Sequence, residues 1–279
     1  MENKEKTSPT ILDPYVIKKE AKKLNNRHFI SLLVANGMMN LNCMNFISFF
    51  PLYTEHFHPT ITTLQIGIIL SIYQVITVVA SPFVGNYLNT IGRKRAILIS
   101  YTIDCCTSFS YAMLSFVSDS TLFYTGTICV RILEGFGGSL LETPVYSLVA
   151  IEFPEDKDKY ISYVELAAGI GLTVGPFISV FMYNYLHFAG TFLTYSSIIF
   201  CTLVYLYFNI PDKFNQKVVE EEDEENKGGD EKVYEKISYK HFFTTPDSAI
   251  LLIACICGMV FSFYYEAILS VRLSKELGI

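Results

Sequence analysis

The sequence predicts an all-α integral membrane protein, and three observations carry that prediction. Of the 279 residues, 51% are hydrophobic and only 17% are charged, against roughly 25% charged in a soluble domain. The apolar residues gather into blocks long enough to cross a bilayer, which takes about 20 predominantly apolar residues. Backbone polar groups in lipid must be satisfied within the spanning segment, which helices achieve and open sheets do not.

Seven spans are predicted, at 29–53, 64–88, 96–117, 121–151, 160–184, 187–210 and 249–271. Residues 1–28 are polar and lysine-rich and lack the short apolar stretch and small-residue cleavage site of a secretory signal. The first span is therefore expected to stay in the mature chain. It carries Asn36, Asn40, Asn42 and Asn45; Asn36 and Asn40 share a face and are able to hydrogen-bond a substrate or another helix.

The second span runs into "GNYLNTIGRKR" at 85–95. Gly85 and Gly92 are expected to bracket a tight chain reversal, because glycine tolerates backbone angles that other residues resist. Arg93, Lys94 and Arg95 would hold that turn at anionic headgroups. The third span carries Asp104, with Arg131 or water as its expected partners. The fourth holds Arg131 and Glu134, three apart and so neighbours on a helix. Glu142 returns to nearly the same face about 16 Å along the axis, so all three are expected in one sector facing a central cavity.

The fifth span carries Glu165, then Gly171 and Gly175 on one face and Pro176 after them. The glycines allow close approach of another helix, and the proline favours a bend. Glu266 is expected near the outer end of the seventh span. Tyr73 and Tyr146 are aromatic candidates for contact with a cation.

Basic residues set the orientation. Eighteen of the 21 Lys and Arg fall in the N-terminal tail, after spans two and four, and in the stretch 211–248. The loops at 54–63, 118–120 and 185–187 have none. By the positive-inside rule, the N-terminus and the basic loops are expected in the cytosol and residues 272–279 on the far side. The acidic run Glu220–Glu225 dominates the net charge of −6 and reads as a solvated linker. All seven cysteines fall within predicted spans without neighbouring histidines, and read as small apolar helix residues rather than metal ligands.

The expected domains are thus a cytosolic tail (1–28), a six-helix bundle (29–210), an acidic cytosolic loop (211–248), a seventh span (249–271) and a non-cytosolic end (272–279). Six spans and a long central loop look like half of a transporter built from two bundles. The second bundle is then incomplete, and the chain is expected to be a fragment or an early-ended reading frame.

Several motifs sharpen this into a family. Gly85-x-x-x-Asn89-x-x-Gly92-Arg93-Lys94 resembles the turn between helices two and three of the major facilitator superfamily, with Asn89 where that pattern has an acid. "RILEGFGG" at 131–138 is similar to the family's fourth-helix pattern, and Gly171-x-x-x-Gly175-Pro176 to the fifth-helix pattern of proton-coupled antiporters. "FFPLYTEHF" and "YEAILSVRL" resemble the vesicular amine and polyamine transporter branch.

The resemblance implies a major-facilitator-type fold, an inner-gate role for the 85–94 turn and alternating-access transport. Ionisable groups inside spans cost several kcal/mol and mark ion or substrate paths; here these are Asp104, Arg131, Glu134, Glu142, Glu165 and Glu266, of which all but Asp104 are candidate site residues, joined by Asn36 and Asn40. A cavity carboxylate that carries a proton one way and a cation the other would support proton-coupled antiport of an amine or polyamine. The alternatives are a uniporter or symporter of another solute, and a non-transporting scaffold derived from the fold. The expected partners are a small-molecule substrate, protons and the bilayer of a vesicle or the plasma membrane, with no nucleic acid. The sequence holds no nucleotide loop, metal cluster or nucleophile–base constellation, so no enzyme, cofactor or metal is expected.

Overall fold

The computed structural model describes residues 14–215 and positions 250, 253, 254 and 257. The chain divides into a compact unit of residues 1–217 and a second of 218–279. Five helices lie in the first. They are α1 (Pro14–Phe57), α2 (Thr63–Ile91), α3 (Arg93–Leu114), α4 (Ser120–Glu152) and α5 (Lys157–Asn209), followed by a 3₁₀ turn at Asp212–Asn215. Of the predicted seventh span only Ile250, Ile253, Ala254 and Cys257 are described, as helical. Glu266 and the acidic run lie outside the described residues.

Local chemistry sets the helix starts. The Thr62 hydroxyl accepts from the Gln65 N–H, and the Gln65 side chain accepts from the Thr62 N–H at 2.8 Å, a capping box at the start of α2. Asp119 caps α4 by accepting from the Leu122 N–H at 2.7 Å. Among the described residues, four helices are long and apolar enough to cross a membrane: Arg27–Phe57 within α1, α2, α3 and α5. α4 matches them in length at 33 residues, but Arg131, Glu134 and Glu142 load it with charge.

The predicted fifth and sixth spans both lie in α5, whose 53 residues would reach about 80 Å if straight. That is more than twice the roughly 30 Å hydrocarbon core. The chain breaks instead at His187, where φ is 56° and ψ is −172°, a region that non-glycine residues occupy only under strain. Pro176 keeps helical torsions. The departure from helix in α5 is therefore at His187, within the loop expected between the fifth and sixth spans.

α1 packs chiefly along α5, α3 along α4 and α5, and α2 on α4. Among the described residues three apolar clusters form the interior, a small one of Val84, Leu88, Ala96 and Leu140 and two larger ones. One joins Phe29, Leu32, Ile97, Tyr101, Leu141, Val145 and Leu206. The other is aromatic, with Phe46, Phe49, Phe50, Tyr111, Phe123 and Phe192. Along α1, α3 and α4 a polar layer of Asn42, Asp104, Ser108, Arg131 and Glu134 falls between them, all of it buried.

Candidate functional site

Arg131 and Glu134, on successive turns of α4, are 1% and 3% exposed. One Arg131 nitrogen donates to Glu134 Oε2 at 2.9 Å. The Tyr111 hydroxyl of α3 donates to the same oxygen at 2.7 Å. The guanidinium lies 3.6 Å from the centre of the Phe46 ring and 5.6 Å from that of Tyr73. Tyr73 is thus engaged with a cation, but with one inside the protein. Asp104 accepts from Asn42 Nδ2 at 2.9 Å rather than pairing with Arg131, and the same amide reaches Ser108 Oγ at 3.4 Å.

Three members of this layer escaped the sequence reading: Tyr111, Phe46 and the Asn42 contact with Asp104. The signal for two of them is helical spacing, since Asn42 and Phe46 are four apart and share a face of α1.

Glu142 and Glu165 form a separate group. Glu142 is half-buried on α4 and Glu165 is exposed on α5. Glu142 feels the charge of Glu165, and the Tyr146 hydroxyl donates to Glu165 Oε1 at 2.8 Å. The ion pairs among the described residues are Lys94–Asp212, Arg131–Glu134 and Lys213–Glu152, so neither carboxylate has a cation partner there. The single sector expected for Arg131, Glu134 and Glu142 is therefore two environments, a sealed ion pair and an open carboxylate facing α5. Asn36 is buried and donates to the Val164 carbonyl at 3.0 Å, while Asn40 donates back to the Asn36 carbonyl at 2.9 Å. Both serve the α1 backbone and its junction with α5.

The basic turn has a different anatomy from the one its glycines suggest. Gly85 stays inside α2, and a Cβ there would meet only Thr143 at 3.9 Å. Gly92 alone makes the reversal, with φ of +88°, and a Cβ would come within 2.6 Å of Asn215 Oδ1. Arg93 donates to Asn89 Oδ1 at 3.2 Å and to Ser147 Oγ at 3.0 Å, so the neutral Asn89 still receives the arginine.

The 3₁₀ turn closes over this corner. Lys94 pairs with Asp212 at 2.8 Å, the Arg95 N–H donates to Asn215 Oδ1 at 3.1 Å, and Lys213 pairs with Glu152 at 2.9 Å. Arg27 donates twice to Asn209 Oδ1, at 3.0 and 2.7 Å, beside an edge contact of His28 with Phe214.

Gly171 and Gly175 face α1. A Cβ on Gly171 would strike the Gly37 carbonyl and one on Gly175 would lie 2.7 Å from Met44 Cβ. The two backbones approach that closely only because side chains are missing.

Comparison with known proteins agrees with the helical architecture. The chain is 27% identical over 176 residues to MFS-type transporter SLC18B1 of Mus musculus, covering 62% of this chain and 38% of that protein. It is 25% identical over 115 residues to the tetracycline resistance protein, class B, of Escherichia coli, covering 41% and 27%. It is 26% identical over 111 residues to multidrug resistance protein 2 of Bacillus subtilis (strain 168), covering 39% and 26%. The chain thus spans less than half the length of each of these relatives. The model of the Major Facilitator Superfamily matches residues 32–279, and the chain belongs to that family.

Proposed function

We propose that this chain forms part of a proton-coupled antiporter for a small organic cation, an amine or polyamine. The observation that carries the reading is the pair Glu142 and Glu165, two carboxylates within electrostatic reach of each other and without a cation partner among the described residues. An organic cation bound there satisfies the charge that protons satisfy when it leaves. Tyr146 holds Glu165 in place through its hydroxyl and offers a ring face to the same cation. The resemblance to the vesicular amine and polyamine branch supports the choice of substrate.

In this reading the N-terminus and the turn at 85–95 face the cytosol, because the basic residues gather there. The turn serves the inner gate. The domain limits 1–28, 29–210, 211–248, 249–271 and 272–279 follow the predicted spans. The drug-resistance names of two relatives favour a second reading, extrusion of a drug-like molecule.

Uptake into proteoliposomes with an imposed pH gradient tests the proposal. Labelled amine should accumulate only with the gradient, and Glu165→Gln should lower gradient-driven uptake by at least tenfold, as loss of a functional charge requires. Accumulation without a gradient, or an unaffected Glu165→Gln protein, overturns it. Extrusion of tetracycline without amine uptake would establish the second reading.

A further inference from the structure

We propose that Asp104 of α3, held by Asn42 of α1, whose amide also reaches Ser108, is a binding site for one small inorganic cation, a proton or a sodium ion, distinct from Glu142 and Glu165. Charge and geometry lead to it independently of whether the chain transports amines.

The polar layer holds two carboxylates, Asp104 and Glu134, and one cation, Arg131. Glu134 takes the arginine at 2.9 Å, which leaves Asp104 with an amide and no countercharge. Asp104 is 1% exposed and Asn42 4%, so water at the surface does not reach them. An isolated carboxylate in such surroundings is far too costly to persist.

The unpartnered atoms point to oxygen-based coordination. Asp104 Oδ2 and Asn42 Oδ1 are buried and lack a hydrogen-bond partner. They belong to the same two side chains that are joined at 2.9 Å through their other atoms. Ser108 Oγ lies 3.4 Å from the Asn42 amide. Asn45, one turn on along α1, is fully buried with both amide atoms unpartnered. Carboxylate, amide and hydroxyl oxygens are hard donors, suited to a proton or a sodium ion and unsuited to a soft metal.

Among the described residues, the titratable groups within electrostatic reach of Asp104 are Cys43 of α1, Tyr73 of α2, Tyr101 and Tyr111 of α3, and Arg131 and Glu134 of α4. Arg131 alone is a cation, and it is taken. Tyr101 donates to the Ala35 carbonyl at 2.7 Å and Tyr111 to Glu134, so neither supplies a proton to Asp104.

Infrared difference spectroscopy and radiolabelled sodium binding on the reconstituted chain test this. With a proton as occupant, the wild type shows a carboxylic-acid carbonyl band at neutral pH that disappears in Asp104→Asn and ignores sodium. With sodium as occupant, one labelled ion binds per chain, acid displaces it, and Asp104→Asn abolishes binding. Glu142→Gln and Glu165→Gln leave either signal in place, which separates this site from the proposed amine site. Asn42→Ala keeps the carboxylate and should shift the midpoint of the pH or sodium titration by about tenfold, the effect of one hydrogen bond to a charged group. A folded Asp104→Asn protein that retains every band and all sodium binding overturns the proposal. If Asp104→Asn does not fold, an unmoved midpoint in Asn42→Ala overturns it equally.

Discussion

Arg131 is the largest fully buried side chain among the described residues, and everything it touches is arranged around its charge. Phe46 lies against the face of its guanidinium, Glu134 takes one nitrogen, and Tyr111 shares the same carboxylate oxygen. Such a pair adds little net stability, because the attraction roughly repays desolvation, but breaking it leaves a bare buried charge. Glu134→Gln should therefore destabilise the bundle by about 3–5 kcal/mol. Joint replacement by Arg131→Met and Glu134→Leu should cost far less. Thermal unfolding in detergent decides it, and a Glu134→Gln protein as stable as wild type would show that Glu134 does not hold the arginine. The sequence displayed the spacing of Arg131 and Glu134, and so the pair. It did not display Phe46 or Tyr111, because their contribution depends on how α1 and α3 are rotated against α4, which no local pattern encodes.

At the scale of the element, α5 combines a tight contact and a strained reversal. Gly175→Val would push its side chain into Met44 of α1, where 2.7 Å already separates an added Cβ from its neighbour. Overpacking of this kind costs about 1–3 kcal/mol, and the same change at Gly169, where a Cβ meets nothing within 4 Å, should be milder. Equal melting of the two variants would remove the close α1–α5 approach from the account. His187→Gly should stabilise the protein by about 1 kcal/mol, since release from the strained region outweighs the entropy that glycine adds to the unfolded chain. A lowered melting temperature would show that the imidazole contributes more than its backbone costs.

These elements also mark the limit of what sequence reveals. The length of the apolar blocks places the helices, and the absence of basic residues around 185–187 marks a reversal. Yet histidine carries no signature for positive φ, so the residue that takes the strained torsions within that reversal is not legible. Gly85 misled, since a glycine inside a helix and one at a turn read alike until Gly92 alone shows φ of +88°.

For the whole molecule, the outward surface is as telling as the interior. Val78, Phe83 and Tyr87 on α2 and Phe177, Phe181 and Tyr185 on α5 are well over one-third exposed. A soluble monomer seldom tolerates so much exposed apolar surface, whereas lipid or a further helix bundle accepts it. Replacing Lys94 by Ala should free the 3₁₀ turn without unfolding the helices, because its partner Asp212 is 88% exposed and such a half-exposed pair adds at most about 1 kcal/mol. Faster protease cleavage near Asp212 with unchanged helical content is the expected result. Unchanged cleavage would leave the turn held by Lys213, Phe214 and Asn215.

That turn also sets an order of assembly. Lys94 and Asp212 are 118 residues apart in the chain, Arg95 and Asn215 are 120 apart, and Arg27 and Asn209 are 182 apart. Contacts that close such long loops carry a large entropic debt and form after the local ones. α3, α4 and both arms of α5 must already be in place before Asp212 can meet Lys94. Protection of the Arg95 amide from hydrogen exchange should accordingly appear last during synthesis, as a sign that the bundle is complete.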